Sequence, residues 1–127
     1  MKEQLLQRTN IFSHNAVDLA LELPNTYLGN HIKGQLIRCS TSVAANYRAA
    51  CLAQSKKSFV AKLSIVIEEA DESIFWIEFS IKRKLLLKER AKISFKERAK
   101  ISFLEAKELT SIFVSSRKTI NTQINNK

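Results

Sequence analysis

The sequence has almost nothing with which to turn a corner. It holds two glycines and one proline in 127 residues, so its connections are few and each must be short. An all-β fold needs many more turn formers and is excluded on that ground. Long apolar runs are missing too. No stretch approaches the roughly 18 uncharged apolar residues that a membrane span requires, and Met1-Lys2-Glu3-Gln4-Leu5-Leu6 lacks the apolar centre of a signal peptide. The expectation is a cytoplasmic protein with no membrane partner. Cysteine is scarce: Cys39 and Cys51, if on one helix, stand about 18 Å apart, too far for a disulfide, and read as small buried hydrophobes.

Catalytic vocabulary is equally thin. There is no glycine-rich phosphate loop, zinc-binding cysteine pair or nucleophile elbow. Di-iron bundles need Glu-x-x-His pairs on facing helices, and the two histidines, His14 and His31, stand in no such motif. Glu68, Asp71 and Glu72 share a helix face that in principle suits a cation, but a solvated face or pairing with Arg or Lys is the simpler reading. The run Ser40-Thr41-Ser42 has no base near it in sequence and reads as packing. The expectation is a non-enzymatic protein with no metal and no cofactor.

Acidic residues are the remaining shortage. Against 21 Lys and Arg stand 12 Asp and Glu, a formal charge of +9. Such an excess favours polyanions, nucleic acid first, through long-range attraction and counterion release; it also serves solubility alone. Between Lys82 and Lys100 lie Lys82, Arg83, Lys84, Lys88, Arg90, Lys92, Lys96, Arg98 and Lys100, opposed only by Glu89 and Glu97. This block is either a phosphate-binding tip or a solvated helix end laced with Glu–Lys and Glu–Arg pairs. A second basic set, Arg38, Arg48, Lys56, Lys57 and Lys62, follows earlier in the chain. No zinc finger, RNA-recognition signature or helix-turn-helix accompanies them, so base-specific readout is unsupported.

What the sequence does have is helical periodicity. With 45% hydrophobic residues it fits one globular domain over residues 1–127. Phe12, Ala16, Leu19 and Leu23 form one stripe of a helix over about residues 8–23. Pro24 ends it, and residues 25–30 read as the longest loop. A second helix, about 31–53, carries Ile32, Leu36, Val43, Tyr47 and Cys51. Beside that face Cys39, Ser42, Asn46 and Ala49 make a row of small residues suited to close helix approach, which Gly34 is expected to assist. Ser55 is an N-cap for a third helix, about 56–84. Its stripe of Phe59, Leu63, Val66, Ala70, Ile74 and Ile77 is widened by Ile67, Phe75 and Trp76, more surface than one neighbour needs, which points to an oligomer. The fourth helix covers about 88–121. Residues 88–95 are repeated without change at 96–103; a period of eight turns the second copy by about 80° around a helix, so the copies share a buried face only if it is broad. Otherwise the first belongs to the connection or projects beyond the bundle. The architecture is an all-α, antiparallel up-down-up-down four-helix bundle.

Certain runs are distinctive. Gln35 to Ala50, reading Gln-Leu-Ile-Arg-Cys-Ser-Thr-Ser-Val-Ala-Ala-Asn-Tyr-Arg-Ala-Ala, resembles the signature of the 23S ribosomal RNA intervening-sequence protein family. Phe59-Val60-Ala61-Lys62-Leu63, Glu68-Glu69-Ala70-Asp71-Glu72-Ser73, Phe75-Trp76 and Glu108-Leu109-Thr110-Ser111-Ile112-Phe113 fit it as well, so the likeness spans roughly residues 8–120. Many members continue the Ala-Asn with Ile-Ala-Glu-Gly where this chain has Tyr47-Arg48-Ala49-Ala50, and the eight-residue duplication is unlike the family. The resemblance implies a four-helix bundle, commonly a homopentamer, similar to the accessory variability proteins of diversity-generating retroelements, which bind nucleic acid and a reverse transcriptase. It carries over no catalytic residue. Arg38 and Arg48 would then contact a polyanion or pair between subunits with Glu68, Glu69, Asp71 or Glu72. Two functions follow as expectations: an oligomeric protein binding RNA or DNA backbone, or a helical adaptor whose basic surface meets an acidic protein partner.

Overall fold

In the computed structural model, which describes residues 1–85 and 89–126 (those at 89–95 by backbone alone), the chain forms four helices: α1 (Lys2–Leu21), α2 (Tyr27–Cys51), α3 (Lys56–Lys82) and α4 (Glu89–Asn125). Each packs against its neighbours in sequence, and α1 closes the ring against α4 over the least extensive contact of the four. Connections of only a few residues leave successive helices no arrangement but antiparallel. One end of the bundle therefore gathers the C-termini of α1 and α3 with the N-termini of α2 and α4.

The core follows three-four spacing on every helix. On α1 the buried set is Leu5, Thr9, Phe12, Ala16 and Leu19; on α3 it is Leu63, Val66, Ala70, Ser73, Ile77 and Ser80; on α4 it includes Ala99, Ser102, Ala106, Leu109 and Phe113. Such spacing keeps one stripe facing the bundle axis. Several of the buried hydroxyls are tolerable because they find carbonyls. Thr9 donates to Leu5 O at 2.8 Å and Ser80 to Trp76 O at 2.8 Å, each within its own helix, whereas Ser13 donates across to Ser40 O at 2.5 Å. Ser40 Oγ itself is buried without a hydrogen-bond partner.

Two helix starts differ from the sequence reading. Helix α1 begins at Lys2 rather than near residue 8, since Leu5 and Thr9 continue its buried stripe and the polar threonine had interrupted the apolar pattern. Helix α2 begins at Tyr27 rather than residue 31, so most of the expected loop at 25–30 is helix. Thr26 caps it, accepting from Gly29 N at 3.0 Å, just as Ser55 accepts from Ser58 N at 3.0 Å to start α3. At their C-termini all of α1, α2 and α3 end within about two residues of the expected points, and α4 runs four residues further, to Asn125.

The glycines have opposite roles. A Cβ on Gly29 would lie 1.9 Å from Pro24 O, a clash with backbone that cannot be relieved by a rotamer change. Gly34, expected to allow close helix approach, is instead exposed, and a Cβ there meets nothing within 4 Å. Gly29→Ala is therefore expected to destabilise the protein by about 1–3 kcal/mol, and Gly34→Ala to stabilise it by about 0.5–1 kcal/mol through helix propensity. Thermal melts followed by circular dichroism check both; shifts of the same sign would refute the assignment.

Candidate nucleic-acid interface

The basic block begins where α3 stops. Arg83 is the C-cap, Lys84 adopts a left-handed φ of 53°, Lys84 N donates to Ile81 O at 3.1 Å and Leu85 N to Ser80 O at 3.4 Å. This is the Schellman arrangement, with half-buried Leu85 supplying its apolar contact to the core. A lysine stands where glycine is usual, so no sequence signal marked the stop. The geometry leaves Lys82, Arg83 and Lys84 exposed at the end of α3, where the negative pole of the helix dipole favours cations whether or not a ligand is present.

Across from them, α4 presents Lys96 and Lys100, both exposed. Together with Lys82 they rim a groove of about 380 Å³ between α3 and α4, in which Ile81, Phe103 and Leu104 supply the apolar lining and Glu78 the one carboxylate among the described residues. Lys82 Nζ lies 3.7 Å from Glu78 Oε1, while no ion pair involves Lys96 or Lys100 among the described residues. Arg98 is engaged differently: it pairs with Glu22 at the end of α1, tying α4 to that helix. The side chains of Lys88, Arg90 and Lys92, expected in the same block, lie outside the described residues.

The remaining candidates do not join this end. Arg38 sits mid-way along α2 and pairs with Glu72 and, at 3.2 Å, with Glu69, both on α3 of the same chain. Two of the four expected acidic partners, Glu69 and Glu72, meet Arg38 within the chain, because α2 and α3 run side by side at that level. Glu72 also accepts from Trp76 Nε1 at 3.1 Å. Arg48 is exposed at the far end of α2, beside Gln4, Gln7 and Asn10 of α1 in an open groove, and Lys56 and Lys57 are exposed at the start of α3 at that same far end. The ten expected residues whose side chains are described thus divide into two ends and a middle.

Sequence reading missed Phe103 and Lys107 as neighbours of the block. Lys107 Nζ lies 5.0 Å from the Phe103 ring centroid, within cation–π range. Lys96, Lys100, Phe103 and Lys107 follow four-three-four spacing, a helical stripe visible in the sequence had the duplicated phenylalanine not been read only as core.

Against this geometry, the family model described as 23S rRNA-intervening sequence protein matches residues 2–105. The chain belongs to this family. The match begins earlier than the expected likeness and stops before Glu108-Leu109-Thr110-Ser111-Ile112-Phe113. A crystal structure at 1.70 Å of a Bacteroides thetaiotaomicron protein, described as of unknown function and from the S23 ribosomal protein family, is similar with a TM-score of 0.76 and 26% identity, covering 90% of this chain and 98% of that one. No curated protein matches the chain.

Among the described residues no group of three or more His, Cys, Asp or Glu is placed to hold a metal ion, and no helix is long and apolar enough to cross a membrane. Both cysteines are free. Burial, opposed by a hydrogen bond from Ser73 Oγ at 3.2 Å, pushes the Cys39 thiol up to about 11. Burial also pushes the Tyr47 phenol up, with Cys51 a smaller cause. Both groups are held neutral in the fold, so their contribution to stability is complete below the unfolded thiol value of 9.0 and is lost as pH rises toward the folded value. Urea unfolding is expected to show declining stability from about pH 9 upward, and Cys39→Ala is expected to flatten part of that decline. An unchanged slope in the variant would exclude Cys39 as a source.

Proposed function

We propose that this chain is a non-enzymatic, cytoplasmic protein that assembles with copies of itself and binds the phosphate backbone of RNA or DNA at the α3–α4 end of the bundle. The observation that carries the reading is the gathering of Lys82, Arg83, Lys84, Lys96 and Lys100 at one end, where Glu78, paired with Lys82, is the one carboxylate among the described residues that line the groove. Lys96 and Lys100 have no ion pair among the described residues; cations of that kind hold counterions, and releasing those counterions to a polyanion is favourable. The family's association in name with 23S ribosomal RNA intervening sequences supports the same partner class. Arg38 and Arg98 are secondary in this reading, since each guanidinium already has a carboxylate.

The adaptor reading draws on one feature, the exposed face of α3. Phe75 is 52% exposed and stacks edge-on against Trp76 at 4.9 Å between ring centroids. However, Glu68, Asp71 and Glu78 follow it at three-four spacing and are all exposed, so an acidic protein would meet like charge there. A basic surface, such as another copy of this chain supplies, fits that face better. Phe75→Glu is therefore expected to lower the mass measured by light scattering after size exclusion, with the circular dichroism spectrum unchanged; an unaltered mass would place the subunit contact elsewhere.

For nucleic acid, the test is fluorescence anisotropy of labelled RNA and duplex DNA against nuclease-treated protein across a salt series. Affinity is expected to fall linearly in log–log form with salt. Reversing Lys96 and Lys100 together is expected to reduce that slope by about two or more, roughly one per lysine contact removed, whereas reversing Lys56 and Lys57 at the opposite end leaves it nearly unchanged. Absence of binding at low salt would leave the positive charge as a feature of solubility or subunit pairing.

A further inference from the structure

The groove between α3 and α4 is built for more than phosphate. A site for phosphate alone needs cations and donors, yet this one is also lined by Phe103 and Leu104, and Leu104 is 54% exposed. Along α4 the row runs Lys96, Lys100, Phe103 and Lys107, with Lys82 facing it from α3, so cations flank an apolar platform on both sides. The row covers twelve residues, about 16 Å of helix, and the volume of about 380 Å³ is near the small end of ligand clefts, on the order of 300–1,000 Å³. In a duplex the bases are stacked inward and present phosphates to a groove of this kind, leaving Phe103 and Leu104 nothing to meet. A single strand presents both parts at once, phosphates for the lysines and the π-face of an unpaired base for the ring.

We propose that this groove takes a single strand of RNA or DNA, seating an unpaired base on Phe103 and Leu104 while Lys82, Lys96 and Lys100 hold the adjoining phosphates. This inference rests on the nucleic-acid reading above and adds strand type to it. Because every base has a π-face, the seat is tolerant of sequence, which agrees with the lack of any base-reading motif in the chain.

The experiment uses the full chain with three labelled probes at one salt concentration: a short oligothymidylate, an abasic oligomer of the same length, and a duplex. Oligothymidylate is expected to bind about tenfold more tightly than the abasic strand, within the range of one stacked base. Phe103→Leu is expected to erase that preference, and Phe103→Tyr to retain it. Leu104→Ser, at an exposed position, carries the same test should Phe103→Leu weaken the bundle. Equal binding of oligothymidylate and abasic strand by the native chain, or a preference that survives both Phe103→Leu and Leu104→Ser, would overturn the base seat and leave backbone binding standing. Failure to bind any of the three probes would overturn both readings.

Discussion

The rest of this bundle depends on how closely α2 approaches the helices on either side of it. Ser13 Oγ of α1 reaches a main-chain carbonyl of α2 directly, and Cys39 Sγ of α2 lies 3.2 Å from Ser73 Oγ of α3. Contacts of that kind require small side chains on both partners, and the buried stripe supplies them at Ala16, Ser40, Val43 and Ala70. Larger groups fill the rest of the core: Tyr47 and Phe113 stack at 5.1 Å between centroids, and Phe12, next to Ser13, is fully buried. Close approach through small side chains leaves little tolerance for a larger residue on the seam.

That constraint explains what the sequence shows plainly and what it conceals. The stripe of Phe12, Ala16, Leu19 and Leu23 and the cap at Ser55 were readable because apolar period and capping chemistry are both local. The starts of α1 and α2 were not, and for one physical reason: the seam accepts hydroxyl residues. Thr9 is buried as fully as a leucine because it donates to the carbonyl one turn back, yet in sequence it breaks an apolar pattern. Asn25, Thr26 and Gly29 look like loop, but Thr26 is a cap and Gly29 is needed inside the first turn because Pro24 O lies against it. Gly34 carries the same letter and has no such reason.

The candidate interface was legible as a charge block and illegible as a surface. A run of basic residues says how much charge is present, not which cations are neutralised. That is set by the antiparallel packing, which brings Glu22 to Arg98 and Glu69 with Glu72 to Arg38 from 76 and more than 30 positions away. The closing α1–α4 contact leans on this chemistry. Besides Arg98 and Glu22, Arg8 grips Glu105 with two hydrogen bonds, at 2.6 and 3.0 Å, and reaches Glu108 at 3.3 Å. Glu105 in turn raises the Arg8 guanidinium above its usual value. Part of the charge that composition assigns to ligand binding is thus spent holding the bundle shut.

The duplication completes this division between charge for structure and charge for surface. In register, Arg117 lies against Ser64 and Lys100 beside Ile81, so the last residue of α3 falls opposite about residue 99, and α4 begins some ten residues earlier, about 15 Å beyond. The second copy, residues 96–103, therefore supplies the seam with Ala99 and Ser102. An eight-residue repeat does not keep step with a seven-residue seam pattern, so the same letters in the first copy fall at different positions of that pattern. Each copy carries three basic residues and one acidic one, a net +2 of the chain's +9. Within the second copy the two uses are separated by face: Ala99 and Ser102 serve the seam, while Lys96 and Lys100 stand exposed beside the groove.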